Sequence, residues 1–115
     1  MTQGNIFDVA VDMRKGSPTF GQWMGFELSA DNFKMLFVPA GFSHGFCTLT
    51  SDTHVHYKVD ALYAPEHDSG IIWNDPDIAV DWPVTVPVLS AKDAKLPQLS
   101  DNPSPFTYTP AIKPE

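Results

Sequence analysis

Three groups of residues in this sequence have the types and spacing to do chemistry. The first, Gly41-Phe42-Ser43-His44-Gly45, satisfies the G-x-S-x-G expression of a nucleophilic serine. That chemistry needs the serine on a strand-to-helix elbow of a large α/β sheet, and here Phe46-Cys47-Thr48-Leu49-Thr50 continue as strand. The hydrolase reading is set aside. The second group, His54-x-His56, has the spacing of paired imidazoles at a metal. Both share one face of a strand, but Lys58 shares it too and would repel a cation. We therefore read His54 and His56 as solvent-exposed and expect no metal site. The third group is Tyr57 with His44. Val55, Tyr57 and Val59 make the opposite, apolar face, so Tyr57 is expected to point inward, where a phenol needs a hydrogen-bond partner or a cavity holding one. Phe42, His44, Phe46 and Thr48 likewise share a face. Each polar residue alone would be a satisfied core group. Together in one barrel they make a pocket wall. Cys47, the single cysteine, allows neither an intrachain disulfide nor an all-cysteine zinc site and is read as a packing residue.

The elements that must hold these side chains are strands. Residues 6–13 alternate, with Phe7, Val9, Val11 and Met13 on one face and Asp8, Ala10 and Asp12 on the other, predicting a half-buried strand. Residues 14–18 turn the chain, and 19–28 resume the strand pattern. A short apolar strand is expected at 33–38, ending at Pro39, which cannot donate to a ladder. Residues 42–50 and 53–60 come next as β-branched and aromatic runs joined by Ser51-Asp52, and two further short strands are expected at 70–73 and 78–82. Such spacing suggests a sandwich or barrel. Ser90 can cap one or two helical turns reaching Leu96. From Pro97 onward the prolines exclude regular structure. We expect one domain at 1–96 and a Pro-rich tail at 97–115, either disordered or draped over a neighbour.

Composition narrows the function classes. At 115 residues the chain is one small domain. With 14 acidic against 7 basic residues it lacks the cationic surface that nucleic-acid binding requires. Asp60, Glu66, Asp68, Asp75, Asp77 and Asp81 fall in a stretch without any Lys or Arg, read as a solvated acidic face. No apolar run approaches the roughly 18 residues of a membrane span, and the start lacks signal-peptide character, so no membrane is expected and the cytoplasm is the default location.

Five blocks, in order, give the chain a resemblance. These are the run from Phe7 to Gly21, centred on Arg14-Lys15-Gly16-Ser17-Pro18; Val38-Pro39-Ala40-Gly41-Phe42-Ser43-His44-Gly45-Phe46; Tyr57-Lys58; Gly70-Ile71-Ile72-Trp73-Asn74-Asp75-Pro76; and Leu89-Ser90-Ala91-Lys92-Asp93. From about Gly4 to Asp93 the sequence resembles the dTDP-4-dehydrorhamnose 3,5-epimerases. That resemblance implies an all-β, cupin-type jelly-roll barrel, a homo-oligomer (a dimer exchanging N-terminal strands), and no metal or other cofactor. The implied substrate is the dTDP-sugar dTDP-4-dehydro-6-deoxyglucose, epimerised at C3 and C5 on the route to dTDP-rhamnose. Such chemistry takes a proton from beside a ketone and returns one to the other face, which calls for a base, an acid and a donor for the enolate oxygen.

Position by position, Tyr57 matches the family's acid and Asp93 the carboxylate that pairs with its histidine base. His44 and Phe46 match pocket residues, Asp8 matches an acidic residue of the barrel interior, and Tyr63 and Lys92 join the substrate-binding set. Leu62 breaks the usual Tyr-Tyr doublet, and Phe33-Lys34-Met35 replaces a more polar stretch. The larger departure is at the front. In the family the Arg-Gly-Leu-His block with the histidine base, the carbonyl-facing lysine and much of the phosphate contact precede the strand equivalent to residues 6–13. The chain is thus expected to be truncated at its N-terminus and nearly inert alone. The open readings are an epimerase-family enzyme, a non-catalytic cupin binding module, or one piece of an enzyme completed by a separate N-terminal segment.

Overall fold

The computed structural model describes residues 1–58, 70–84, 87–101, 106 and 108. Its regular elements are three strands, β1 (Asn5–Asp12), β2 (Trp23–Ser29) and β3 (Phe42–Thr48), and one short helix, α1 (Ala91–Ala94). The strands form an antiparallel sheet in the order β2-β1-β3. Opposite β1, Val9 faces Gly25 and Val11 faces Trp23 on β2, while Asp8 faces Phe46 and Ala10 faces His44 on β3.

The alternation in residues 6–13 is present, but its consequence differs from expectation. β1 is not half-buried: Asp8, Val9, Ala10, Val11 and Asp12 are all buried. A strand paired on both edges loses solvent on both faces once neighbours on each side lean over it. On one face Val9, Val11 and Met13 form the core with Ile78, joined by Phe7, Trp23, Ile71, Val80, Trp82 and Leu99. Phe7 lies edge-on between Trp23 and Trp82, with ring centroids 6.3 and 6.2 Å away. Gly25 makes this possible, because a Cβ there would collide with the Phe7 ring. The other face carries Asp8, Ala10 and Asp12 with Phe26 and Met24 from β2 and Phe42, His44 and Phe46 from β3.

The turn after β1 is organised by a buried carboxylate. Asp12 accepts from Arg14 Nε (3.0 Å) and Nη2 (2.9 Å), the Arg14 backbone N–H (3.0 Å), Ser17 Oγ (2.7 Å) and Thr19 Oγ1 (2.5 Å). The Arg14 guanidinium holds the Asp12 carboxyl well below the usual carboxylate range, against burial, which opposes ionisation; the two hydroxyls assist. The same guanidinium lies 4.9 Å from the centroid of Phe42 and 5.0 Å from that of Tyr108.

Two expected strands at the edges of the sheet do not form. Residues 33–38 are irregular and in no strand ladder among the described residues, with Phe33, Met35 and Phe37 at 89, 92 and 83% exposure and Phe33 at φ 57°. Within 53–58 only His54 joins a ladder, bridging Gln3; the rest of the run to residue 60 lies outside the described residues. A strand needs a partner as well as a sequence pattern, and single strands without one are not stable. Residues 70–73 and 78–82 are also irregular, because Asp75 draws the chain into a turn and Ala79 adopts φ 55°. The capped helix forms where expected: Ser90 Oγ accepts from the Asp93 N–H at 3.1 Å. Residues 97–101, at the start of the Pro-rich tail, join the core layer. The Pro97 carbonyl accepts from Ile72 N–H (2.9 Å) and Leu99 N–H donates to Asp75 (2.6 Å).

Candidate functional site

His44 and Asp8 meet on the less covered face of the sheet. They sit on β3 and β1, in adjacent rows of the ladder, since Ala10 is the register partner of His44 and Phe46 that of Asp8. Asp8 is buried and its Oδ1 is hydrogen bonded to Nε2 of the half-exposed His44. A carboxylate can only accept, so Nε2 carries the hydrogen and Nδ1 becomes the ring nitrogen with which to address a ligand. Phe46 stands beside the imidazole, with centroids 6.1 Å apart. This pairing was not legible in the sequence, where Asp8 was matched only to an acidic residue of the barrel interior and Asp93 to the carboxylate of a different histidine. The signal that could have found it is the β1–β3 register.

Among the described residues β3 is an outer strand of the sheet, and beside it, over Val9 and Val11 of β1, lies a cleft of about 180 Å³. Its lining includes His44, Phe46 and Asp93, together with Trp73, Trp82 and Leu89. Trp82 packs close to the backbone of Gly45 and donates its indole N–H to the Trp73 carbonyl at 2.8 Å. Asp93 is exposed in the single turn of α1, beside Lys92. His44 and Phe46 border this cleft together with Asp93, but Val9, Val11 and Gly45 also line it, so it lies on the core face, whereas the His44 imidazole is on the opposite face with Asp8.

Tyr57 is a correction. It was expected to face inward, but it is 76% exposed, in a segment whose alternation has no ladder to orient it. His54 and His56 are both exposed. Tyr63 lies outside the described residues. Among the described residues no group of three or more His, Cys, Asp or Glu is placed to hold a metal ion, and no helix is long and apolar enough to cross a membrane.

Solved structures are similar in fold to this chain. The dTDP-4-dehydrorhamnose 3,5-epimerase of Bacillus anthracis, with TDP and PPi bound, is 57% identical and superposes with a TM-score of 0.78 over 85% of this chain and 56% of that one. ChmJ, a 3'-monoepimerase from Streptomyces bikiniensis in complex with dTDP-quinovose, is 35% identical with a TM-score of 0.81 over 86% of this chain and 50% of that one. Sheet and neighbours together define a protein of the all-β, cupin class. A sequence model of the dTDP-4-dehydrorhamnose 3,5-epimerases matches residues 1–101. The enzyme of that name from Sinorhizobium fredii is 54% identical over 93% of this chain and 55% of its own length, and that from Pseudomonas aeruginosa 53% identical over 80% and 51%. The chain belongs to the dTDP-4-dehydrorhamnose 3,5-epimerase family, and it spans about half the length of the curated relatives it matches.

Proposed function

We propose that this chain contributes the dTDP-sugar pocket of a 4-keto-6-deoxy-sugar epimerase, acting on dTDP-4-dehydro-6-deoxyglucose at C3 and C5. The observation that carries the reading is the Asp8–His44 pair, on the face of the sheet opposite an aromatic cleft, in a chain 57% identical to an epimerase solved with TDP bound. In this reading Tyr57 is the proton-returning acid and Asp93 orients the base. Asp8, His44, Phe46, Tyr63 and Lys92 serve the substrate, with His44 held by Asp8 to bond a sugar oxygen.

The 115 residues contain no Arg-Gly-Leu-His block. Losing a general base costs about 10²- to 10⁴-fold and losing a donor to the enolate oxygen about another 10²- to 10³-fold. These residues by themselves are therefore nearly inert as an epimerase. The missing base then comes from a separate segment carrying that histidine, since a second copy of these residues would lack it as well. Solvent-deuterium incorporation at C3 and C5 tests this. The chain alone should exchange at a small fraction of an intact relative's rate, and adding a peptide with the missing block should restore it. Full exchange by the chain alone would overturn the assignment of the base.

A further inference from the structure

The wall of the cleft opposite β3 is drawn from two segments, residues 70–82 and the stretch 89–99 that contains α1, and one buried carboxylate fastens them together. Asp75 Oδ1 accepts from the N–H groups of Asp77 (2.8 Å) and Ile78 (3.3 Å), while Oδ2 accepts from Leu99 N–H at 2.6 Å. Its own N–H donates to the Ile72 carbonyl (3.2 Å), and its carbonyl accepts from Ala79 N–H (2.8 Å). Ile72 N–H reaches the Pro97 carbonyl (2.9 Å), and the Leu96 side chain lies over Gly70. Three ties therefore run in the same order along both segments: 70 to 96, 72 to 97 and 75 to 99.

α1 immediately precedes the tied part of the second segment. A helix of four residues cannot hold its own place, because the first turn fixes several residues for very few hydrogen bonds. None of its residues is buried. Residues 96–99, directly on its C-terminal side, carry the three ties, and of these only the one at Asp75 is made by a buried carboxylate. Hydrogen bonds to an ionised group are about twice as strong as neutral ones. We propose that Asp75 is a positioning residue of the site: by gripping Leu99 it sets where α1 presents Asp93 at the cleft.

The ligand part of this inference rests on the function proposed above; the mechanical part does not. The test combines residue-level hydrogen exchange with titration of TDP followed by the fluorescence of Trp73 and Trp82. Asp75→Asn keeps an oxygen toward Asp77 and Ile78 but turns an NH₂ toward Leu99. Leu99→Pro removes the donated N–H with Asp75 intact, and Leu99→Ala controls for lost side-chain packing. We expect Asp75→Asn and Leu99→Pro to raise exchange about tenfold at residues 93–99 while β1 keeps its protection, and to weaken TDP binding about fivefold. Leu99→Ala should do neither. Unchanged exchange at 93–99 would overturn the proposal, as would loosened exchange with unaltered TDP affinity, or Leu99→Ala matching Leu99→Pro. If Asp75→Asn does not fold, the comparison of the two Leu99 variants decides. If the unaltered chain binds no TDP, the pocket reading fails and exchange alone decides the grip of Asp75.

Discussion

His44 on β3 is held by the buried carboxylate of Asp8 on β1, one ladder row away, so the orientation of its imidazole is set by the sheet register. The pairing puts the ring hydrogen on Nε2. In Asp8→Ala that preference should be lost and the imidazole should populate both tautomers, as read from its ¹⁵N shifts. Stability should fall by about 1 kcal/mol with the hydrogen bond. An unchanged tautomer in Asp8→Ala would mean that something other than Asp8 sets the ring.

Asp12 governs the acid limit of stability. Its folded-state ionisation is depressed below the ordinary value of 3.8, with Arg14 as the main cause. The stabilisation is fully present above the unfolded value and is lost as pH falls through and below about 4. Asp12→Ala should cost about 2 kcal/mol at pH 7, by leaving Arg14 and two hydroxyls without their acceptor. That cost should shrink in denaturant melts below pH 4; a cost independent of pH from 7 to 2 would contradict the assignment.

The apolar residues of the 33–38 segment should be covered in solution. Phe33, Met35 and Phe37 are almost wholly exposed in a single chain, which is costly for three large side chains so close in sequence and invites a second copy. Light scattering should give a dimer, and Met35→Glu should shift the balance toward monomer. A monodisperse monomer across a hundredfold range of concentration would count against the homodimer.

Tyr108 should anchor the part of the chain beyond the family match. Lys15 N–H donates to the Phe106 carbonyl (2.9 Å), the Lys15 carbonyl accepts from Tyr108 N–H (2.8 Å), and the Tyr108 ring stacks on Arg14. Tyr108→Ala should lower stability by about 1 kcal/mol, roughly 4 °C in Tm. Calorimetry showing no shift would remove the anchor.

The features legible in the residues alone were local in origin. The alternation of residues 6–13, the runs that became β2 and β3, and the Ser90 cap of α1 all depend on side chains a few positions apart, and each formed close to its pattern, although β2 begins at Trp23 rather than at residue 19, where the chain is still turning. The family, too, was legible, because its blocks occur in order along the chain. Everything that required a partner from far away was settled only by the folded chain. Whether 33–38 and 53–58 became strands depended on a neighbouring edge, and the described residues supply only the bridge at His54. The same lack left Tyr57 facing solvent. Asp8 and His44 lie 36 positions apart, and Asp75 and Leu99 lie 24 apart. No period in a sequence encodes such contacts, which arise from strand order, register and the burial of charge that must then find a donor.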